Sequence, residues 1–230
     1  MIASVHVADI GAGAALGVLR KAPRPGSVPG LRHANVALAA PLSASMRPSP
    51  QAGRVGLVAF WDDDAALDAF LGTHPLAEKL AGGWRLRLTP LRAHGSWPGL
   101  PEDLPTARSV DHEGPAAVLT LGRVRLTRVI PFVRASATAE GRVLDAPGLL
   151  WATGLARPPF VATCSLWRDT RALSTYAYGA AHPEHVDAVT TDRAKPFHAQ
   201  SAFIRFAPSD SHGSLDGRNP LAEDWVAAPA

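Results

Sequence analysis

Apolar and polar positions fall into short blocks that change period at glycine and proline, and the blocks recur in the same order in two halves of the chain. In the first half Ala3 to Ile10 reads as a strand, Ala14 to Lys21 as a short helix, and Leu31 to Ala39 and Val55 to Trp61 as strands. Asp63 to Leu80 follows as a helix broken near Pro75, and Trp84 to Pro90 as a last strand. The second half repeats this: a strand over Ala116 to Val124, a helix from Leu126 to about Thr138, and strands over Leu149 to Leu155 and Phe160 to Trp167. Helices over Thr170 to Tyr178 and Pro183 to Arg193 precede a final strand over Ser201 to Ala207. Pro41 to Gly53, with three prolines and three serines, reads as an exposed hairpin loop, and Leu100 to Gly114 as a linker.

The two halves are related in sequence as well as in pattern. Arg87 to Gly99 lines up without a gap on Arg205 to Gly217, sharing Arg, Pro, His, Gly, Ser and Gly. Upstream, Trp61 to Phe70 lines up with Trp167 to Tyr176, keeping Trp, Asp, Ala, Leu and an aromatic, and His74-Pro75 has its counterpart in His182-Pro183. The expected fold class is therefore α+β: a tandem duplication of a ferredoxin-like β-α-β-β-α-β unit forming a pseudo-dimeric α/β barrel. Residues 1–100 form one half and 115–221 the other, in one compact unit. Any pocket is expected where the doubled sheet encloses space.

Composition narrows the chemistry. The 230 residues suffice for a sizeable core, and 47% of them are apolar, which excludes a disordered chain. The net charge of +3 is spread among acidic residues, so nucleic acid is not an expected partner. No apolar stretch reaches membrane-spanning length, and a cytoplasmic protein is the default. Cys164 lies in an apolar strand and reads as a packed, inert thiol. Oligomeric state stays open: a homodimer is compatible with the pattern, although duplication can replace the dimer that a single-copy unit needs.

Of the nine histidines, His94 and His212 sit in a repeated His-Gly-Ser turn after the last strand of each half, and His74 and His182 precede helix-starting prolines. All four read first as structural. His185 has no counterpart, since the same offset falls on Ala77. On a helix starting at Pro183 it shares a face with Ala188, Val189 and Asp192, either as a satisfied core residue or as an axial haem ligand. A zinc site built on His182 and His185 would have to borrow Asp187, Asp192 or His198, and no zinc signature is present. Gly11-Ala12-Gly13 follows a strand but lacks the rest of a dinucleotide fingerprint. Arg87 and Arg205 recur in the final strands, either pairing with carboxylates or entering a polar cavity. Trp61, Trp84, Trp151 and Trp167 are core fillers or pocket walls.

These tracts resemble the spheroidene monooxygenase family of carotenoid biosynthesis: Phe60-Trp61-Asp62-Asp63, Trp84 to Trp97, Ser165-Leu166-Trp167-Arg168-Asp169, His185-Val186-Asp187-Ala188-Val189, and the tail from Arg205-Phe206 through His212 to Leu221. The resemblance implies a fold like that of the dimeric α/β-barrel haem proteins and a haem-dependent oxygenase that turns an allylic methylene into a ketone by successive hydroxylations. It implies haem b (iron protoporphyrin IX) in the second half, a family histidine at His185 as metal ligand with His182 as alternate, and a hydrophobic small-molecule substrate with oxygen or peroxide as oxidant. Arg205 and Trp167 then fall at the cofactor, and Arg205 and Arg87 are the catalytic candidates, an arginine above a haem bonding a propionate or an oxygen species on the iron. Two other readings remain: a cofactor-free monooxygenase on the same barrel, and a non-catalytic barrel that holds a hydrophobic ligand.

Overall fold

The computed structural model of the chain describes residues 1–43, 51–108, 110–178 and 197–221. The first half is built from β1 (Ile2–Asp9), α1 (Ala12–Arg20), β2 (Leu31–Pro41), β3 (Arg54–Trp61), α2 (Asp64–Thr73), α3 (Pro75–Leu80) and β4 (Trp84–Ser96). The second is built from β5 (Ala116–Val124), α4 (Val129–Leu144) after a single 3-10 turn, β6 (Leu149–Arg157), β7 (Phe160–Trp167), α5 (Thr170–Tyr178) and β8 (His198–Gly213). The helix expected over Pro183 to Arg193 lies outside the described residues, as does most of the loop expected over Pro41 to Gly53.

Local chemistry sets these boundaries. Asp63 caps α2 by accepting the Ala66 amide at 2.9 Å, and Asp169 caps α5 by accepting that of Ala172 at 2.6 Å. His74 accepts the Leu76 amide on Nδ1 at 3.1 Å, with Pro75 in the first turn of α3, so the helix over Asp63 to Leu80 breaks into two at the expected Pro75. Equivalent bonds tie equivalent turns, from the Asp62 amide to the Gly30 carbonyl and from the Arg168 amide to the Gly148 carbonyl, both 2.8 Å.

The strands close into one antiparallel barrel in the order β1-β3-β2-β6-β7-β5-β8-β4. Each half keeps the order last-first-third-second, which follows when two β-α-β crossovers flank a central hairpin. The halves join edge to edge through β2 with β6 and β4 with β8. β4 and β8 run well past the expected Pro90 and Ala207. The repeated His-Gly-Ser tract is therefore not a turn after the last strand but its continuation, with His94 opposite Phe203 and Arg85 opposite His212. Each copy of the tract pairs with the opening residues of the other half's last strand, so its polar residues stay in a ladder that neither half could offer alone.

Alternate side chains from both sheets point inward and fill the barrel: Val5, Phe60, Leu86 and Leu88 from one half meet Leu119, Leu166, Ile204 and Phe206 from the other. Phe60 and Phe206 lie 6.0 Å apart, and Trp84 meets Trp151 edge-on at 4.8 Å. Eight strands enclose a space just wide enough for side chains, so the enclosed space expected to hold the pocket is core instead. Cys164 is buried there, and desolvation pushes its thiol up to about 12. The helices cover the outer faces, α1 to α3 on the first half and α4 and α5 on the second.

Under α2 the first outer face is dry and carries a buried histidine. His6 bonds Ser4 Oγ through Nε2 at 3.1 Å, and the same hydroxyl accepts from Trp61 Nε1 at 2.9 Å. Burial, aided by Arg85, pushes the imidazole down from 6.5 to about 3. Below 6.5 the unfolded chain takes up a proton here that the native state refuses until about pH 3. Stability present above pH 6.5 is lost as the pH falls through that window, by up to about 1.4 kcal/mol per pH unit. His6→Asn should remove this slope, so urea unfolding of variant and parent at neutral pH and near pH 5 should converge on acidification. Parallel losses in the two proteins would show that His6 does not carry the effect.

Candidate functional site

The two outer faces started as copies, and among the described residues the strands of the second carry smaller side chains than those of the first. Strand pairing gives matched rows. Across the centre of the first half run Arg85, His6, Leu57 and Val36, and at the same places in the second run Phe203, Thr120, Thr163 and Gly154. In the next row Ala8, Val55 and Leu38 become Gly122, Val161 and Ala156. An imidazole and the branched chains of Leu57, Val36 and Leu38 have thus given way to two threonines, a glycine and an alanine.

Burial follows the change. Every residue of β3 is buried, as is all of β1 except Asp9, whereas Val118, Thr120, Val161, Thr163 and Ser165 of β5 and β7 are only half-buried. Phe203 is 47% exposed on the same face. The result is a shallow, mostly apolar floor with hydroxyls at Thr120, Thr163 and Ser165, flanked by α4 and α5. At one end the His198 ring lies over Gly122, where any β-carbon would collide with it, and Phe132 of α4 meets that ring edge-on at 5.3 Å. At the other end Trp167 is buried beneath α5, in tilted contact with Tyr176 at 5.0 Å, its Nε1 donating to Ser165 Oγ at 3.0 Å. A floor of this kind suits a flat apolar ligand.

The two candidate arginines are not brought together. Arg87 stands on the first face, bonded to Asp64 and, at 2.6 Å, to Asp68 of α2. Desolvation and these carboxylates act on it in opposite senses, and the net effect is to raise its pKa. Arg205 stands at the corresponding place on the second face, next to Val118, and is half-buried. Aligning Trp61 with Trp167 places Thr170 where Asp64 is and Ser174 where Asp68 is, and no ion pair holds Arg205 among the described residues. Among the described residues, the face with the smaller side chains is also the one whose arginine has lost its two carboxylate partners.

His185 and its alternate His182 lie outside the described residues, as do Asp187 and Asp192 of the zinc alternative. Among the described residues no cluster of three or more His, Cys, Asp or Glu side chains is placed to hold a metal ion. A separate hollow of about 230 Å³ beside Gly148, Arg168 and Tyr176 is smaller than usual ligand pockets. No helix among the described residues is long and apolar enough to cross a membrane. Sequence reading missed Thr120, Thr163, Gly154 and Phe203. The replacement of Leu57 by Thr163 was visible in the alignment of the halves, but that of Val36 by Gly154 needs the strand register.

No protein-family model matches the chain. It is 31% identical over 175 residues to spheroidene monooxygenase of Rubrivivax gelatinosus, covering 74% of this chain and 66% of that one. To spheroidene monooxygenase of Cereibacter sphaeroides it is 24% identical over 189 residues, covering 80% and 58%. The chain thus spans less than two thirds of the length of either relative. Among solved structures, an aldoxime dehydratase in complex with butyraldoxime overlays on 91% of this chain and 79% of its own, at 10% identity and a TM-score of 0.49.

Proposed function

Because the chain belongs to a spheroidene monooxygenase-like family, we propose that it is a haem-dependent monooxygenase that hydroxylates or ketolates a hydrophobic small molecule, with haem b on the outer face of its second half. The observation that carries this reading is the change of that face relative to its copy: Leu57, Val36 and Leu38 of the first half are matched by Thr163, Gly154 and Ala156, which leave room for a flat macrocycle among the described residues. The residues present fit such a group. Thr120, Thr163 and Gly154 offer a low floor, Phe203 an apolar contact and Arg205 a cation for the acidic edge of a porphyrin. His185 is the proposed iron ligand, on the helix expected after Pro183.

When bound, haem would supply the oxidation chemistry that no side chain can. The chain's own part is to bind and orient. The packed barrel gives the floor a rigid backing. Phe203 offers an apolar contact beside the substrate, and the hydroxyls of Thr120 and Thr163 can donate to a polar atom held above them. His185→Ala should abolish or greatly weaken haem binding, read as loss of the Soret band on titration, while urea unfolding shows the domain still folded. A Soret band unchanged from the parent would refute the ligand assignment. A purified protein that takes up no haem and yet oxidises a phenolic substrate would favour cofactor-free chemistry instead.

A further inference from the structure

We propose that Arg92 and Arg205 together form a carboxylate clamp that grips the propionates of the bound porphyrin, Arg92 being a binding residue supplied by the first half's last strand. The inference rests on the porphyrin reading above and deepens it.

The two arginines face each other across the β4–β8 ladder. Their side chains lie on the outer face, since the flanking Ala93, Ile204 and Phe206 point into the barrel core. Both are half-buried, and the Nε of Arg92 is buried without a hydrogen-bond partner. Like charges directly opposite on neighbouring strands destabilise a sheet. No carboxylate among the described residues is paired with either one.

The copy of this site in the first half shows what a self-sufficient arrangement looks like. There Arg87 stands opposite Asp210, with Asp64 and Asp68 bonded to it from α2. The second half puts Arg92 where Asp210 is, Thr170 where Asp64 is and Ser174 where Asp68 is. A site with two carboxylates bonded to one guanidinium, and a third on the opposite strand, has become two guanidinia with no paired carboxylate among the described residues. Planar guanidinium groups bind carboxylates through two parallel bonds, and two adjacent carboxylates would answer both charges at once. A porphyrin carries such a pair on one edge.

Titration with metal-free protoporphyrin IX and with its dimethyl ester, read by quenching of tryptophan fluorescence, tests the clamp without involving the iron ligand. The parent should bind the free acid at least tenfold more tightly than the ester. Arg92→Gln and Arg205→Gln should each lose most of that preference while binding the ester as the parent does, and Arg92→Lys should restore part of it. Arg87→Gln, on the other face, should leave the preference intact. Glutamine variants that keep the parent's preference overturn the clamp alone, whereas a parent that binds neither porphyrin overturns the porphyrin reading and the clamp with it.

Discussion

A chain carrying Thr163→Leu and Gly154→Val should melt no lower than the parent and should lose haem affinity by about a hundredfold. The pair installs on the second half the side chains that stand at the same places on the first, Leu57 and Val36. A β-carbon at Gly154 would meet Leu42 Cδ2 at 3.6 Å and the Ala40 carbonyl at 3.7 Å, both ordinary contacts, so the backbone accepts it. The added methyl and methylene groups would occupy the half-buried floor above Thr120, burying apolar area that is now exposed. Loss of a strand glycine adds to stability by lowering the entropy of the unfolded chain. Soret titration and thermal unfolding on the same preparations decide the matter: parent-like haem affinity in the filled variant would mean that the ligand binds elsewhere.

Gly95→Ala and Gly213→Ala should each destabilise the fold by roughly 2 to 4 kcal/mol, the largest effect expected from adding a single methyl group to this chain. The two glycines have φ of +92° and +79°, a region that other L-residues adopt only with strain. Their missing side chains also let the opposite strand approach, since a β-carbon would overlap the Ser201 carbonyl oxygen at Gly95 and that of Gly83 at Gly213. Both sit in the β4–β8 seam that helps join the halves, at places exchanged by the internal twofold relation. They lie at opposite ends of that ladder, so the double variant should show nearly the sum of the two losses in urea unfolding. Losses below about 0.5 kcal/mol would show that the seam yields without strain.

The same two glycines mark the boundary between what was legible in the chain and what was not. Strand and helix identities follow from periodicity and from groups that act within a few residues, such as the caps at Asp63 and Asp169, the histidine-proline start of α3 and the alternation along β5 and β7. Duplication is likewise written in the chain, and with it the α+β class and the closed barrel, because two apolar sheet faces must cover each other. Positions 91–96 and 208–213 carry too little apolar alternation to be read as strand. They become strand because each finds its hydrogen-bond partners in the opening residues of the other half's last strand, 201–205 for the first segment and 84–88 for the second.

The site divides in the same way. Arg205 and Trp167 stood out as residues, and Arg87 stood out beside them as an equal. Only the pairing with Asp64 and Asp68 on one face, and its loss on the other, makes the two arginines different. Gly154 gains meaning only by lying opposite Thr163, and Arg92 only by lying opposite Arg205. The sequence by itself determined the elements, their duplication and the closed sheet, since these arise from local preference and from the burial of apolar stripes. Among the described residues, the tertiary structure decided which of two equivalent faces carries the smaller side chains and which arginine is paired with carboxylates, because both depend on residues that meet across strands far apart in the chain.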